Sequence, residues 1–198
     1  GDRVESLAGA ITGCLNNIKV AHIEGGEVSG TIDELLRHSI SKLSHLHFVT
    51  NKIAKKRLQQ MGEVKKNIFV IGSPDIDIIL DDKLPSISLT KKRYDINFKE
   101  YAIFIFHPVT TETKKISYQI KYLLNLLLRS RFNYVILLPN NDLGSDIILK
   151  EINLLKKKKL NNFKILPSMR FEHYLSLLKN SNFIIGNSSS GIIEAPYY

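Results

Sequence analysis

Three acids near the start of the chain, Asp2, Glu24 and Asp33, have the spacing of groups carried on successive loops of one sheet. Carboxylates gathered in this way move protons and hold developing positive charge. Glu24 stands between the strand-like Lys19–Ile23 and the glycine pair Gly25-Gly26, where an acid has no evident structural task. Asp33 lies in Thr31-Ile32-Asp33-Glu34, which reads as a capping box with Thr31 as N-cap. There it falls in a first helical turn, with Arg37 four residues on along the same face. Complementing the helix dipole is the plainer role for Asp33 and Glu34. His22, His38, His45 and His47 cluster in sequence but lack the close His/Cys/acid spacing of a metal site. His107 ends an apolar run just before Pro108, which disfavours a helix and leaves the imidazole at a strand end. Gly186-Asn187-Ser188-Ser189-Ser190-Gly191 follows another apolar run and leads towards Glu194. Small residues between a strand and a helix start offer backbone N–H groups and a favourable dipole to a phosphate. The run is neither a Walker loop nor a dinucleotide turn.

The elements that position these groups alternate. Helical spacing over Val4–Asn17, Thr31–Ser44 and Asn51–Met61 alternates with β-like runs Lys19–Ile23, His45–Val49 and Ile68–Ile71. After residue 100 the rhythm restarts, with strands Tyr101–Phe106, Tyr134–Leu138, Phe163–Leu166 and Phe183–Ile185. Helices are predicted between them, from Glu112 to Arg129, Ser145 to Lys158 and Phe171 to Lys179. Near-continuous apolar strands alternating with helices imply an α/β fold with parallel sheets. Two Rossmann-like domains are expected: residues 1–80 in the first, 81–100 as the crossing, and 101–198 in the second. The polar and glycine-rich clusters, Asn140 after Tyr134–Leu138 included, sit at the carboxyl ends of these strands, where open α/β sheets bind ligands. Two such edges facing each other make a cleft.

The net charge of +9 comes from 28 Lys and Arg against 19 Asp and Glu. Much of it lies between Lys150 and Lys164, including Lys156–Lys159. The run reads as the solvated carbonyl end of a helix rather than a nucleic-acid patch, and a basic surface also steers anionic ligands inward. No apolar run approaches the ~20 residues that span a bilayer, and nothing at the start reads as a signal peptide. A single cysteine, Cys14, fits a reducing cytosol. A cytoplasmic protein without membrane or nucleic-acid partners is expected.

Taken together, Ala21-His-Ile-Glu-Gly-Gly-Glu-Val-Ser-Gly-Thr-Ile-Asp-Glu, Arg37-His38, Lys42-Leu-Ser-His, Gly1-Asp2-Arg3, His107-Pro-Val-Thr-Thr-Glu, Pro139-Asn-Asn-Asp and Gly186-Asn-Ser-Ser-Ser-Gly resemble the hydrolysing UDP-N-acetylglucosamine 2-epimerases. The likeness is to the bacterial sialic-acid or capsule branch. His22-Ile-Glu-Gly-Gly-Glu departs from the His-Val-Glu-Ala-Gly of the non-hydrolysing relatives. The resemblance implies a glycosyltransferase-B fold with substrate in the cleft, and a chain covering about half of a family member, so that both domains are incomplete. It implies elimination of UDP to a 2-acetamidoglucal, then hydration to N-acetylmannosamine. By the same likeness Asp2, Glu24, Asp33 and His107 are catalytic, with the carboxylate that takes the C-2 proton unassigned. Arg3, His22, Arg37, Asn140, Ser188, Ser189, Gly191 and Glu194 then bind substrate. No metal or redox cofactor is implied. The expected partners are UDP-N-acetylglucosamine, UDP and further copies of the chain in a homo-oligomer. Two alternatives stay open: the related epimerase acting on UDP-N,N'-diacetylbacillosamine in the legionaminic-acid pathway, and a UDP-sugar glycosyltransferase of the same fold.

Overall fold

The computed structural model describes residues 3–30, 32–81 and 83–198. The chain forms two compact units, residues 1–78 and 79–198. The expectations for Asp2 and for Thr31 as N-cap lie outside the described residues.

In the first unit, α1 (Val4–Leu15) leads to β1 (Ala21–Ile23), α2 (Ile32–Lys42), β2 (Leu46–Val49), α3 (Lys52–Gln60), β3 (Ile68–Val70) and α4 (Pro74–Ile79). The strands form a parallel sheet in the order β1-β2-β3, with His22 opposite His47 and His47 opposite Ile68. Side chains alternate across a strand, so these three share a face, and all are buried. Helix α3 packs Ala54 and Leu58 onto this side against Val49 and Ile68. Each fully buried Leu or Ile contributes roughly 1.5–3 kcal/mol. The Asn51 side chain caps α3 by accepting from the Ala54 N–H at 2.8 Å. The opposite face carries Ile23, Phe48 and Phe69, with Ile23 51% and Phe69 45% exposed.

The second unit begins with α5 (Ile87–Tyr94). Then come β4 (Ala102–Ile105), α6 (Thr113–Arg129), β5 (Tyr134–Leu137), α7 (Ser145–Lys157), β6 (Phe163–Leu166), α8 (Phe171–Lys179), β7 (Ile184–Gly186) and α9 (Ser190–Ile193). All strand pairs are parallel, in the order β6-β5-β4-β7. Ile116, Ile120, Leu124 and Leu127 of α6 recur at helical spacing and pack with Ile148, Ile152 and Leu155 of α7 over Ala102, Phe104 and Ile136. The alternate strand residues Ile103, Ile105 and Val135 are buried as well, so this sheet is closed on both faces at its centre.

Helix α5 occupies the stretch 81–100 that was expected as a bare crossing, and helix α4 lies just ahead of it. Helix α4 opens on Pro74, where the missing N–H costs nothing. Helix α5 is capped by the Ser86 hydroxyl, which accepts from the Leu89 N–H at 3.2 Å, and ends on Lys91-Lys92-Arg93, the favourable sign for its carbonyl end. It docks on α8 through a 2.8 Å hydrogen bond between Thr90 and His173, both buried.

Candidate functional site

Several candidate side chains lie just beyond the carboxyl ends of the strands in each unit. After β1, Glu24 takes a left-handed backbone (φ +64) and donates its N–H to the Phe48 carbonyl at 2.7 Å. The next two positions require glycine. A Cβ on Gly25 would meet His22 Nδ1 at 2.8 Å and Ser41 Oγ at 3.0 Å, and one on Gly26 would meet the Ala54 carbonyl at 2.6 Å. His22 and Ser41 are themselves buried and joined, Nδ1 to Oγ, at 3.0 Å.

The following loop is tied on several sides. Arg37, buried on α2, donates to the Glu27 carbonyl at 2.9 Å. Arg57 donates to the Gly26 carbonyl, and the Glu27 carboxylate accepts from the Thr50 hydroxyl and from Asn51. Glu34 accepts the N–H groups of Ser29 at 3.0 Å and Gly30 at 2.9 Å. The Gly30 N–H, then that of Ser29, hold the Glu34 carboxyl below the usual range. Glu34 therefore fastens the loop as well as facing the helix dipole. Asp33 is half-buried in the first turn of α2. Arg3 is exposed ahead of α1, with its Nε 3.6 Å from Glu5.

The histidines of this unit have separate partners. His45 Nδ1 accepts the Val20 N–H at 3.2 Å, and His47 Nε2 lies 3.2 Å from Glu63. Among the described residues no group of three or more His, Cys, Asp or Glu is placed to hold a metal.

In the second unit the chain runs outward from β4 through β5 to β6, then returns to place β7 on the other side of β4. That reversal opens a crevice at the carboxyl ends of β4 and β7, the usual ligand position in such sheets. A cavity of about 420 Å³ lies there, lined by His107, Asn140, Ser188, Ser189 and Glu194 among others. Five of the residues read from the sequence thus meet in one place. Gly191 does not line it, and a Cβ there would touch only Ile184 Cγ2 at 3.8 Å. Gly186 is the glycine that geometry demands: its φ is +137, and a Cβ would fall 1.7 Å from the Ile105 carbonyl.

His107 is fixed from two directions. Asn187 Oδ1 accepts its N–H at 2.7 Å, and Asn187 Nδ2 donates to its carbonyl at 2.9 Å, clasping β4 to β7. The Asn140 N–H reaches the ring at Nδ1 at 3.3 Å. Burial depresses the His107 pKa, against smaller upward pulls from the Asn140 hydrogen bond and the Asp142 charge. The neutral ring accepts at Nδ1, so Nε2 carries the proton and is a hydrogen-bond donor.

The serine turn differs from the expected helix-terminus anion site. Helix α9 has only four residues, too few for a substantial dipole. The turn offers instead the Ser188 and Ser189 groups, while the Ser190 hydroxyl is bonded to Tyr174. Burial, the largest cause, pushes the Tyr174 phenol up to about 12, so it stays protonated. Asn140 Oδ1 and Glu194 Oε2 are buried with no hydrogen-bond partner among the described residues. Buried polar atoms of this kind are satisfied by a ligand or water.

Sequence reasoning assigned no role to Ser73, Asn187 or Tyr174. Ser73 donates its hydroxyl to Glu24 Oε1 at 2.7 Å. Its position at the carboxyl end of β3 was a usable signal, as was Asn187 next to the obligatory Gly186. Tyr174 had none, because its spacing in α8 is that of a core residue.

Parallel strands under helices and a crevice at a topological reversal, with a largely apolar cavity that carries a few polar groups, define an α/β protein with Rossmann-like sheets, and likeness to solved structures makes the fold the glycosyltransferase-B type. Over residues 1–198 the chain matches the UDP-N-acetylglucosamine 2-epimerase family, and it belongs to that family. The UDP-N-acetylglucosamine 2-epimerase of Neisseria meningitidis serogroup B is 49% identical over 199 residues, covering 100% of this chain and 52% of that protein. The UDP-N,N'-diacetylbacillosamine 2-epimerase (hydrolyzing) of Legionella pneumophila is 39% identical, covering 98% of this chain and 52% of that protein. The fold is that of the Methanocaldococcus jannaschii UDP-GlcNAc 2-epimerase crystallised with UDP-GlcNAc and UDP, at a TM-score of 0.72 and 24% identity, covering 100% of this chain and 56% of that one. The chain spans about half the length of the curated relatives it matches.

Proposed function

We propose that the protein carrying this chain is a hydrolysing 2-epimerase that converts UDP-N-acetylglucosamine to UDP and N-acetylmannosamine for sialic-acid synthesis in the cytoplasm. The observation that carries the reading is the cavity where His107, Asn140, Ser188, Ser189 and Glu194 meet. Its apolar wall from Leu137 to Pro139 suits a nucleobase, and its hydroxyl and N–H groups suit the ribose and diphosphate. Family membership and the names of the relatives support the rest.

In this reading the C-1–oxygen bond to UDP breaks as the C-2 proton leaves, giving a 2-acetamidoglucal. Water then adds at C-1 and a proton returns to C-2 on the opposite face. His107 Nε2–H donates to the diphosphate as charge builds on it, which neutral imidazole does without needing acid pH. Glu24, with Asp2 and Asp33, supplies the carboxylates for proton transfer and for the positive charge at the anomeric centre. Arg3 and Arg37 hold the anionic leaving group, and His22 sets the Glu24 turn. A homo-oligomer fits the same family reading.

The Legionella relative favours a second substrate, the diacetamido, 6-deoxy UDP-sugar. The test is to incubate the full-length protein with each UDP-sugar, without acceptor, and identify both products. UDP and free N-acetylmannosamine from UDP-N-acetylglucosamine are expected. Retention of UDP on the epimerised sugar would overturn hydrolysis, and a requirement for an acceptor would make the protein a glycosyltransferase.

A further inference from the structure

We infer that Ser73 is a positioning residue that aims the Glu24 carboxylate. The inference rests on the reading of Glu24 as a proton-transfer group. Locally, Ser73-Pro74 spells a helix start, with Ser as N-cap and Pro at the first helical position. The main chain obeys: the Ser73 carbonyl accepts the Ile76 N–H at 3.2 Å. The hydroxyl goes elsewhere, spending its one proton on Glu24 Oε1 at 2.7 Å, 49 residues away in sequence.

The geometry explains what this accomplishes. Glu24 follows β1 and Ser73 follows β3, the two outer strands of a three-stranded sheet. Adjacent strands lie ~4.8 Å apart, so the bond reaches over the end of β2 across roughly two strand spacings. The Glu24 main chain is already immobilised by its bond to Phe48, by its left-handed φ and by two glycines with no room for a side chain. That clamp leaves the three side-chain torsions undetermined. A proton-transfer group must hold its oxygen at one place relative to the C–H it attacks. The Ser73 hydroxyl fixes one carboxylate oxygen and leaves the other to face a reacting group.

The test compares Ser73→Ala and Ser73→Thr in the full-length protein. Losing a hydrogen bond to a charged group should lower kcat by about 10- to 100-fold. KM should change by less than about 2-fold, because ground-state binding is untouched. Threonine keeps the hydroxyl and should restore most of the rate. In a Glu24→Gln background, Ser73→Ala should cost less than about 2-fold, since residues acting through one another are not additive. Equal losses in the two backgrounds would overturn the inference. A crystal structure of the Ser73→Ala variant is an arm independent of activity. The Glu24 carboxylate should leave its present position, and an unmoved carboxylate also overturns the inference. If Glu24→Gln alone turns over at the parent rate, the catalytic reading of Glu24 fails, while the variant structure still decides whether Ser73 aims the carboxylate.

Discussion

The two sheets share parallel strands and carry candidate residues beyond their carboxyl ends, yet they fix these groups by different means. In the first unit the candidate acid Glu24 opens a loop, and polar side chains fasten that loop: Arg37 and Arg57 on its carbonyls, Thr50 and Asn51 on Glu27, Ser73 on Glu24. In the second the candidates lining the cavity are, apart from Glu194, amide, hydroxyl and imidazole side chains in the turns after the strands, where one amide, Asn187, clasps two main chains together. The surroundings differ in the same sense. β4 is buried throughout, whereas one face of the first sheet leaves Ile23 51% and Phe69 45% exposed. Under the role proposed for Glu24, a carboxylate that transfers protons is useful only in one orientation, which hydrogen bonds such as that from Ser73 supply. A binding cavity needs shape above all, and a closed sheet supplies it.

This contrast is sharpest for the two glycines that flank the serine turn. Gly186→Ala should destabilise the protein by at least about 3 kcal/mol, because the new Cβ collides with main chain at a φ that L-residues avoid. Gly191→Ala should stay within about 1 kcal/mol of the parent. Urea denaturation of both variants is the measurement, and similar losses would break the assignment of Gly186 as the rigid point of the cavity.

The division of labour predicts opposite phenotypes for acids and serines. Glu24→Gln should lose about 100-fold or more in turnover. It should keep the full rise in melting temperature on adding UDP, since a ligand stabilises the native state by mass action. Ser188→Ala with Ser189→Ala should weaken UDP binding by about 10-fold, the worth of one or two hydrogen bonds. Turnover at saturating substrate should fall much less. A Glu24→Gln protein that no longer responds to UDP would erase the distinction.

The smallest effect is electrostatic. Burial is the largest cause lowering the pKa values of His47, His107 and His173 below the ordinary histidine value. Between those values and about 6.5 the unfolded chain binds protons that the folded one refuses. Stability is therefore full above about pH 6.5 and falls as pH drops through this window. Melting temperatures at pH 7.5 and 5.5 should differ accordingly, and His47→Gln should reduce the slope. A melting temperature that rises on acidification would contradict the sign. The lowered carboxyls Glu34, Asp95 and Glu112 act only at more acid pH.

Legibility in the sequence followed the range of the forces. Strands such as Tyr101–Phe106 and Tyr134–Leu138 were readable because burial on both faces demands an unbroken apolar run; the structure trims their ends by a residue or so. Helix α5 escaped notice because its apolar face is short, although Ser86 and the basic last turn mark its two ends. Among the candidate residues of each unit, those whose type is its own reason, such as Glu24 before two glycines or His107 before Pro108, stood out. Ser73 and Asn187 did not, because each is explained equally well by its immediate neighbours. Only the long-range pairing shows that a helix-start serine serves a distant acid, or that the asparagine of a phosphate-like turn fastens a neighbouring strand.

The lysines at the end of α7 have a consequence for solubility. Among the described residues strand β6 pairs only with β5, and its other edge presents a row of main-chain groups on which another extended chain can add. Lys156 and Lys159 line a hollow with Lys164 of β6 itself, and Asp95 pairs with Lys164 at 2.8 Å. A second molecule approaching edge to edge would bring its own lysines against these, and like charges across a strand pair repel. Among the described residues the basic run flanks an unpaired sheet edge, where repulsion between like charges disfavours edge-to-edge pairing of copies.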